Sequence, residues 1–263
     1  MDIDDILASV DRHDPSTPES TALDHQLLTR FWVAERGVSE LLPWPGPLMD
    51  RMMDRVRRQI ETIEDLAATS ADPTTTTPNP TTNLTLSILQ TDLARTQYTL
   101  RSLLRQRLAK LTTHSMHYLL RISPGPLPPS QSQDRADIRP EDAIPALGTA
   151  GAHPPLSAPE VAFLHAHQRL LATHYGDAFL ASFPPQLRRL DDNAGGTSMV
   201  QGPEGREVVF VRCLVEAVRV VVPPGDGVEA AVVGGTAMRM GDVWAVRWEG
   251  VRDAWGRGEV EVL

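Results

Sequence analysis

One uninterrupted amphipathic stretch, residues 84–119, limits what this chain can fold into more than any other feature. It contains no Gly or Pro, and its leucines recur in steps of three and four with a threonine in the one gap. This spacing predicts a single long helix with one apolar face and basic residues on its wetter sides. The apolar set is Leu86, Leu89, Leu93, Leu100, Leu104, Leu108 and Leu111, and the basic set is Arg95, Arg101, Arg105, Arg107 and Lys110. Because such a helix cannot cover its own stripe, other helices or another chain must do so.

Three other segments carry helical patterns. The first is predicted to start at a capping box, Thr21-x-x-Asp24, and the second has Pro47 in its first turn. The last starts at another capping box, Ser157-x-x-Glu160. The three apolar stripes are Leu23, Leu27, Phe31, Ala34 and Val38; Met49, Met53, Val56, Ile60, Ile63 and Leu66; and Val161, Leu164, Leu171, Tyr175 and Ala178. With the long helix, they predict a bundle.

The apolar period changes after residue 191. Residues 207–222 are rich in valine, which favours two short strands or one bent strand, and Glu259–Leu263 alternates like a strand. The fold class is therefore α+β, with an N-terminal α-helical bundle domain followed by a small β-rich C-terminal domain. The helical domain is expected over 14–190 and the linker with the β-rich domain over 191–263. Low-complexity composition predicts flexible insertions at 70–83 and 123–156.

Residues 1–13 have a separate helical pattern. One apolar face is formed by Ile3, Ile6, Leu7 and Val10, and the flanking acidic residues Asp4 and Asp5 lie in the first turn, where negative charge favours a helix dipole. Prolines at 15 and 18 separate this piece from the bundle. The pattern fits either a frayed terminus or a recognition peptide that folds into a partner's groove.

Composition excludes several classes of protein. The chain of 263 residues has a formal net charge of −9, which disfavours duplex binding by its bulk surface. A single cysteine, Cys213, excludes an internal disulfide and suits a reducing compartment. The start of the sequence is acidic and no apolar run approaches the roughly 20 residues of a membrane span. We therefore expect no membrane association and a nuclear or cytosolic location.

Catalytic and metal-binding patterns are weak. The histidine groups are His114 with His117, and His165, His167 and His174 on another helix, but no carboxylate or cysteine completes a tetrahedral site nearby. No nucleotide-binding or hydrolase motif is present, and Cys213 lies in a valine-rich strand typical of a core residue. We expect no enzyme activity, cofactor or metal. The alternatives are a nucleic-acid-binding module that uses the arginine-bearing helices and a histidine–metal hydrolase.

Several motifs in order resemble those of one family. The segment TQYTLRSLLRQRLAK, residues 96–110, is similar to the core helix of the Sld-five-type subunit of the eukaryotic GINS replication complex, and FWVAERGVSELLPW, residues 31–44, is similar to another segment of it. LSAPEVAF, residues 156–163, and FPPQLRRLD, residues 183–191, resemble the start and end of its last bundle helix. VFVRCLVEAVRVVV, residues 209–222, resembles the first hairpin of its C-terminal domain.

The resemblance implies a non-enzymatic scaffold subunit in the nucleus. Its implied partners are the three partner-of-Sld-five GINS subunits, and the tetramer would join the MCM ring and the cell-division-cycle forty-five protein in the CMG helicase. DNA contact would be at most indirect. Residues 4–7, DDIL, resemble the peptide that docks on the trimeric replisome hub linked to polymerase alpha. The candidate residues for contacts between subunits are Leu100, Leu104, Arg105, Leu108, Val260, Val262 and Leu263.

Overall fold

The structure is a computed structural model that describes residues 18–71, 80–122, 144, 156–184, 200–221 and 235–263. The described helices are α1 (Pro18–Gly37), α2 (Gly46–Ala71), α3 (Pro80–Thr113), α4 (Ser115–Ile122), α5 (Ala158–Ala178) and α6 (Trp248–Gly256). The strands are β1 (Val208–Cys213), β2 (Ala217–Val220), β3 (Thr236–Arg239), β4 (Val243–Arg247) and β5 (Val260–Val262). An α-helical bundle followed by a small β-rich part is the predicted α+β class. None of the helices described is long and apolar enough to span a membrane.

The centre of the bundle is the packing of α3 against α1 and α2. Leu28 of α1, Met52 of α2 and Leu103 of α3 are almost completely buried in one cluster. The predicted stripes were displaced by one residue in places. Leu27 and Leu104 are exposed by 36% and 39%, respectively, because the following or preceding leucine takes the core position. Leu23 and Met53 are also exposed.

The two predicted capping boxes have different outcomes. Ser157 precedes α5 and forms the box with Glu160, whose Oε2 accepts hydrogen bonds from the backbone nitrogen (2.8 Å) and hydroxyl (3.0 Å) of Ser157. The predicted box at Thr21 was wrong as a helix start, because α1 begins at Pro18 and Asp24 lies inside the helix. Asp24 is instead buried and pairs with arginines of α2.

The C-terminal strands form two small antiparallel sheets. β1 lies between β4 and β5, and β2 pairs only with β3 among the described strands. Residues 208–220 therefore form two strands, as predicted, but these do not pair as the hairpin that the family resemblance implied. Residues Trp248–Gly256 form the helix α6 between β4 and β5. The alternating C-terminal residues form β5.

The β-rich part packs on the end of α1. Ala34, Val38 and the adjacent Leu42 share a buried core with Val211 and Trp248. A Cβ at Gly37 would lie 3.1 Å from Cγ1 of Val262, so the approach of α1 to β5 is close. The ion pair between Arg30 and Glu261 (2.9 Å) lies along the same contact. Helix α1 therefore belongs to both cores.

Some predictions fall outside the described residues. These include the docking helix with Ile3, Asp4, Asp5, Ile6, Leu7 and Val10, and most of the two low-complexity insertions. Helix α2 extends to residue 71 and α3 begins at residue 80, so the predicted insertion at 70–83 overlaps both helix ends.

Candidate functional site

A buried arginine stands at the centre of the bundle's junction. The side chain of Arg107 in α3 has no exposed surface. Its Nε and Nη2 donate to the two carboxylate oxygens of Glu160 at 2.6 and 3.1 Å, and its Nη1 donates to Glu35 (3.0 Å) and to the carbonyl of Leu42 (2.8 Å). The guanidinium carbon lies 5.1 Å from the centre of the Trp44 ring. One side chain thus connects α1, the segment after it, α3 and α5.

Lys110 completes this arrangement one turn later. Its Nζ donates to the Glu35 carboxylate (2.6 Å) and to the carbonyls of Glu35 (2.6 Å) and Glu40 (2.9 Å). Burial lowers the pKa of Lys110, and the neighbouring Glu35 carboxylate opposes that effect. Arg107 and Lys110 balance the charges of Glu35 and Glu160, so the cluster is neutral as a unit. We call these four residues the junction cluster.

The prediction that Arg107 and Lys110 lie on wetter sides of the long helix was therefore wrong. Arg107 occupies a core position of the stripe, between Leu103 and Leu111, and both leucines are fully buried. A buried charge is tolerated there because the guanidinium donates to two carboxylates and a carbonyl. Arg105, in contrast, is exposed as predicted.

Glu40 connects the helical bundle to the β-rich part. Its Oε1 pairs with Arg121 of α4 (2.8 Å) and Arg252 of α6 (2.9 Å), and its Oε2 accepts a hydrogen bond from Trp248 Nε1 (3.1 Å). Trp248 is buried and anchors α6. Because a carboxylate with three donors loses much by moving, Glu40 fixes the orientation of α6 against α4.

The segment between α1 and α2 is also held by α4. The hydroxyl of the buried Tyr118 accepts a hydrogen bond from the backbone nitrogen of Leu41 (2.9 Å). Burial raises the pKa of Tyr118 to about 12. On the adjacent turn, burial and then the positive charge of Arg121 lower the pKa of His117. The turn 38–44 is thus held by hydrogen bonds with Arg107 and Lys110 of α3 and with Tyr118 of α4.

The chemistry of this site is structural. Each ionisable group of the junction cluster is bound to another group of the same chain. Among the residues described, no group of three or more His, Cys, Asp or Glu side chains is placed to hold a metal ion. Cys213 is buried in β1, as its valine-rich context predicts.

The structure separates the predicted interface residues into two groups. Leu100, Val260 and Val262 are buried in this chain's own cores and leave little surface for a partner. Exposed positions are Leu104 (39%), Arg105, Leu108 (40%) and Leu263 (42%). Leu104 and Leu108 lie one turn apart beside the buried stripe of α3. These four exposed residues remain candidates for contact with another subunit.

Sequence reasoning missed several residues of the junction. It did not assign a role to Trp44 beyond its turn, to Tyr118 or to Trp248. The one available signal was an arginine at a stripe position, residue 107, with acidic residues on two other helices. The distances along the chain, 72 residues to Glu35 and 53 to Glu160, hide this pairing from local patterns.

Comparisons with known proteins identify the family of this chain. A family model described as the GINS complex protein helical bundle domain matches residues 59–179. A second model, the DNA replication complex GINS protein SLD5 C-terminus, matches residues 203–263. The two matches follow the helical and β-rich parts seen in the structure.

Curated relatives agree with these models. The DNA replication complex GINS protein SLD5 of Chaetomium globosum is 39% identical over 81% of this chain and 80% of that protein. The protein of the same name from Yarrowia lipolytica is 33% identical over 87% of this chain and 75% of its own length. The one from Schizosaccharomyces pombe is 28% identical over 80% of this chain and 77% of its length. This chain belongs to the SLD5 family of GINS proteins.

Proposed function

We propose that this chain is a non-enzymatic scaffold subunit of the GINS complex and acts in DNA replication. The observation that carries the proposal is the junction cluster, since residues of the two family motifs, Glu35 in one and Arg107 with Lys110 in the other, bind each other in the interior. Those motif residues serve the architecture rather than a reaction. Family membership supplies the complex and the process.

The finer assignment is a heterotetramer with the three partner-of-Sld-five subunits. The exposed residues Leu104, Arg105, Leu108 and Leu263 support it, because Leu104 and Leu108 lie one turn apart on α3 and form an exposed apolar pair that another chain can cover. In the same proposal, the tetramer joins the MCM ring and the cell-division-cycle forty-five protein, and the protein acts in the nucleus.

The alternative of a nucleic-acid-binding module has less support. It required a free basic face on the arginine-bearing helices, but Arg107 is buried in the junction cluster and Arg51 and Arg55 bind Asp24 within the chain. The histidine–metal hydrolase has no supporting cluster in the described part of the chain. Nucleic-acid binding and metal-dependent hydrolysis are therefore not needed to explain assembly with the other GINS subunits.

Assembly is tested by co-expression of this chain with the other three GINS subunits and measurement of the mass of the purified complex. We expect a 1:1:1:1 complex. Leu104→Glu with Leu108→Glu should remove this chain from the complex, since two charges would enter an apolar contact. Gln90→Glu, exposed on the same helix, is the matched control and should assemble normally. Normal assembly by the double variant would refute the proposed contact.

We also propose that residues 1–13 dock on the trimeric replisome hub linked to polymerase alpha. The support is the apolar face of Ile3, Ile6, Leu7 and Val10 beside Asp4 and Asp5. Ile6→Ala with Leu7→Ala should abolish binding of this peptide in a calorimetric titration into the hub, because both central anchors are lost. The same variant should still assemble with the other GINS subunits. Unchanged hub binding would remove the docking role.

A further inference from the structure

A cleft of about 360 Å³ lies between α1, α2 and α3, far along α1 from the junction cluster. The lining residues that matter here are Thr21, His25, Arg55, Arg58, Gln59 and Asp92. Three of them carry positive charge or can acquire it, and one is acidic. This is a polar cleft on the surface of the bundle.

Arg55, which lines the cleft, carries an incompletely bonded guanidinium. The side chain of Arg55 is only 12% exposed, and its Nη2 binds Asp24 (2.9 Å) and Ser20 (3.0 Å). Its Nε and Nη1 are buried and have no hydrogen-bond partner within the described part of the chain. Arginine carries five N–H donors, and three of them lie on these two nitrogens. Buried polar groups are nearly always satisfied, so this donor set calls for an acceptor.

Charge around Arg55 favours an anion as that acceptor. Arg51, Arg55 and Arg58 contribute three positive charges, whereas Asp24 and Asp92 contribute two negative ones. Burial lowers the pKa of the Arg55 guanidinium, Asp24 opposes this, and Arg51 and Arg58 lower it further. A second anion would relieve the repulsion among the three arginines.

Size and geometry favour one phosphate group over a longer polyanion. A cleft of this volume is at the small end of ligand sites and suits a single phosphorylated side chain. Phosphate oxygens match the donor geometry of a guanidinium, with Arg58 able to approach from the rim. Asp92, which accepts a hydrogen bond from Gln59 (3.1 Å), and the chain's net charge of −9 oppose a nucleic-acid strand.

We propose that this cleft binds the phosphate of a phosphorylated serine or threonine side chain of a partner protein. Arg55 donates to the phosphate, and Arg58 contributes charge at the rim. Asp24 holds Arg55 in position from the other side. Phosphorylation of the partner would then be recognised at a surface far along α1 from the junction cluster.

The test uses the full chain co-purified with the other GINS subunits and O-phospho-L-serine as the probe. Phosphorus NMR should show saturable broadening of the probe resonance, and unmodified L-serine, followed by proton NMR, should not bind. Arg55→Lys keeps a positive charge beside Asp24 but loses the forked donors, so affinity should fall by about tenfold. Arg58→Gln should weaken binding severalfold. Arg57→Gln is the matched control, because Arg57 points to solvent and pairs with Asp54 of its own helix.

Three results would overturn the proposal. One is equal affinity of the wild-type and Arg55→Lys complexes, with folding confirmed by an unchanged thermal midpoint. Another is Arg55-dependent binding of a single-stranded oligonucleotide more tightly than phosphoserine, which would assign the cleft to nucleic acid. The third is phosphoserine binding only after removal of residues 1–17, which would assign the cleft to a carboxylate of this chain's own acidic segment. Arg55-dependent phosphoserine binding by the full chain, with the Arg57→Gln control unaffected, supports the proposal.

Discussion

Two ion clusters, at opposite ends of α1, solve the problem of a buried charge in different ways. In the junction cluster Glu35 meets Arg107 and Lys110, and the buried guanidinium is bound by two carboxylates, a carbonyl and an aromatic face. In the other cluster Asp24 meets Arg51 and Arg55, with Arg51 41% exposed and Arg55 incompletely bonded. The first cluster is closed, while the second is open to solvent on one side.

The difference teaches which charges are fixed by the fold. Removing one partner from a closed, dry cluster leaves other charges buried without compensation, whereas water can replace a partner in an open cluster. The junction cluster therefore stabilises the meeting point of α1, α3 and α5. The Asp24 cluster retains hydrogen-bonding capacity that an external anion can use.

The largest expected effect follows from Arg107→Ala. Glu35 would keep Lys110, but Glu160 would lose its bidentate partner in the interior, which should cost about 3–5 kcal/mol of folding free energy. Thermal unfolding of the co-purified complex should begin roughly 6–20 °C lower, or the variant should fail to assemble. A thermal midpoint within about 2 °C of the wild type would show that water can replace Arg107 in the junction cluster.

A smaller effect is expected at Glu40, which has both buried and exposed partners. Glu40→Gln removes the charge shared by Arg121 and Arg252, which are 40% and 47% exposed, and should cost about 1–2 kcal/mol. Trp248→Phe removes the Nε1 hydrogen bond together with part of a buried ring, so it should cost more than the ~1 kcal/mol of the hydrogen bond alone. Both costs are measured as shifts of the thermal midpoint. A Glu40→Gln cost equal to that of Arg107→Ala would contradict the graded comparison.

High pH tests a different contact, the hydrogen bond between the Tyr118 hydroxyl and the backbone nitrogen of Leu41. The pKa of Tyr118 is 10.0 in an unfolded chain and about 12 in the folded protein, so the unfolded state loses its proton first. The stability due to Tyr118 is therefore complete below pH 10 and is lost as pH rises toward 12. Tyr118→Phe cannot titrate, so the difference in thermal midpoint between wild type and variant should change over pH 10–12 in that direction. A constant difference would mean that the tyrosine is solvated.

The smallest expected effect belongs to Arg51→Gln. Asp24 would keep Arg55 as its partner, and solvent reaches the position of the lost guanidinium. We expect a loss of 0–1 kcal/mol, measured by the same thermal midpoint. A loss comparable to that of Arg107→Ala would mean that the open cluster behaves as a closed one.

The sequence predicted the helices well because their apolar period is strong, and it failed where neighbours compete. Leu27 beside Leu28, and Leu103 beside Leu104, offer two core positions about 100° apart on the helix, and the period alone chose the wrong one in each pair. The capping box at Ser157 was correct, whereas the similar pattern at Thr21 placed Asp24 at a helix start instead of in an ion pair. The local pattern is the same at a helix start and inside a helix, and the arginine partners of Asp24 lie on another helix.

The candidate site was harder to predict because it depends on pairing between distant residues. The motif residues Glu35, Arg107 and Lys110 were recognised, but their meeting in the interior required the relative positions of three helices. The strands show the same limit. Valine richness located β1 and β2, yet β1 pairs with β4 and β5, over intervals that no local pattern encodes.

The packing of α1 against β5 also has a consequence for synthesis of the chain on the ribosome. Glu40 and Trp248 are 208 residues apart, and at about 5–20 residues per second the ribosome needs roughly 10–40 s to connect them. Throughout that interval Ala34 and Val38 have no sheet to pack against. Of the helices described, the first to emerge is thus one of the last to complete its core, which leaves its apolar end available to chaperones during that interval.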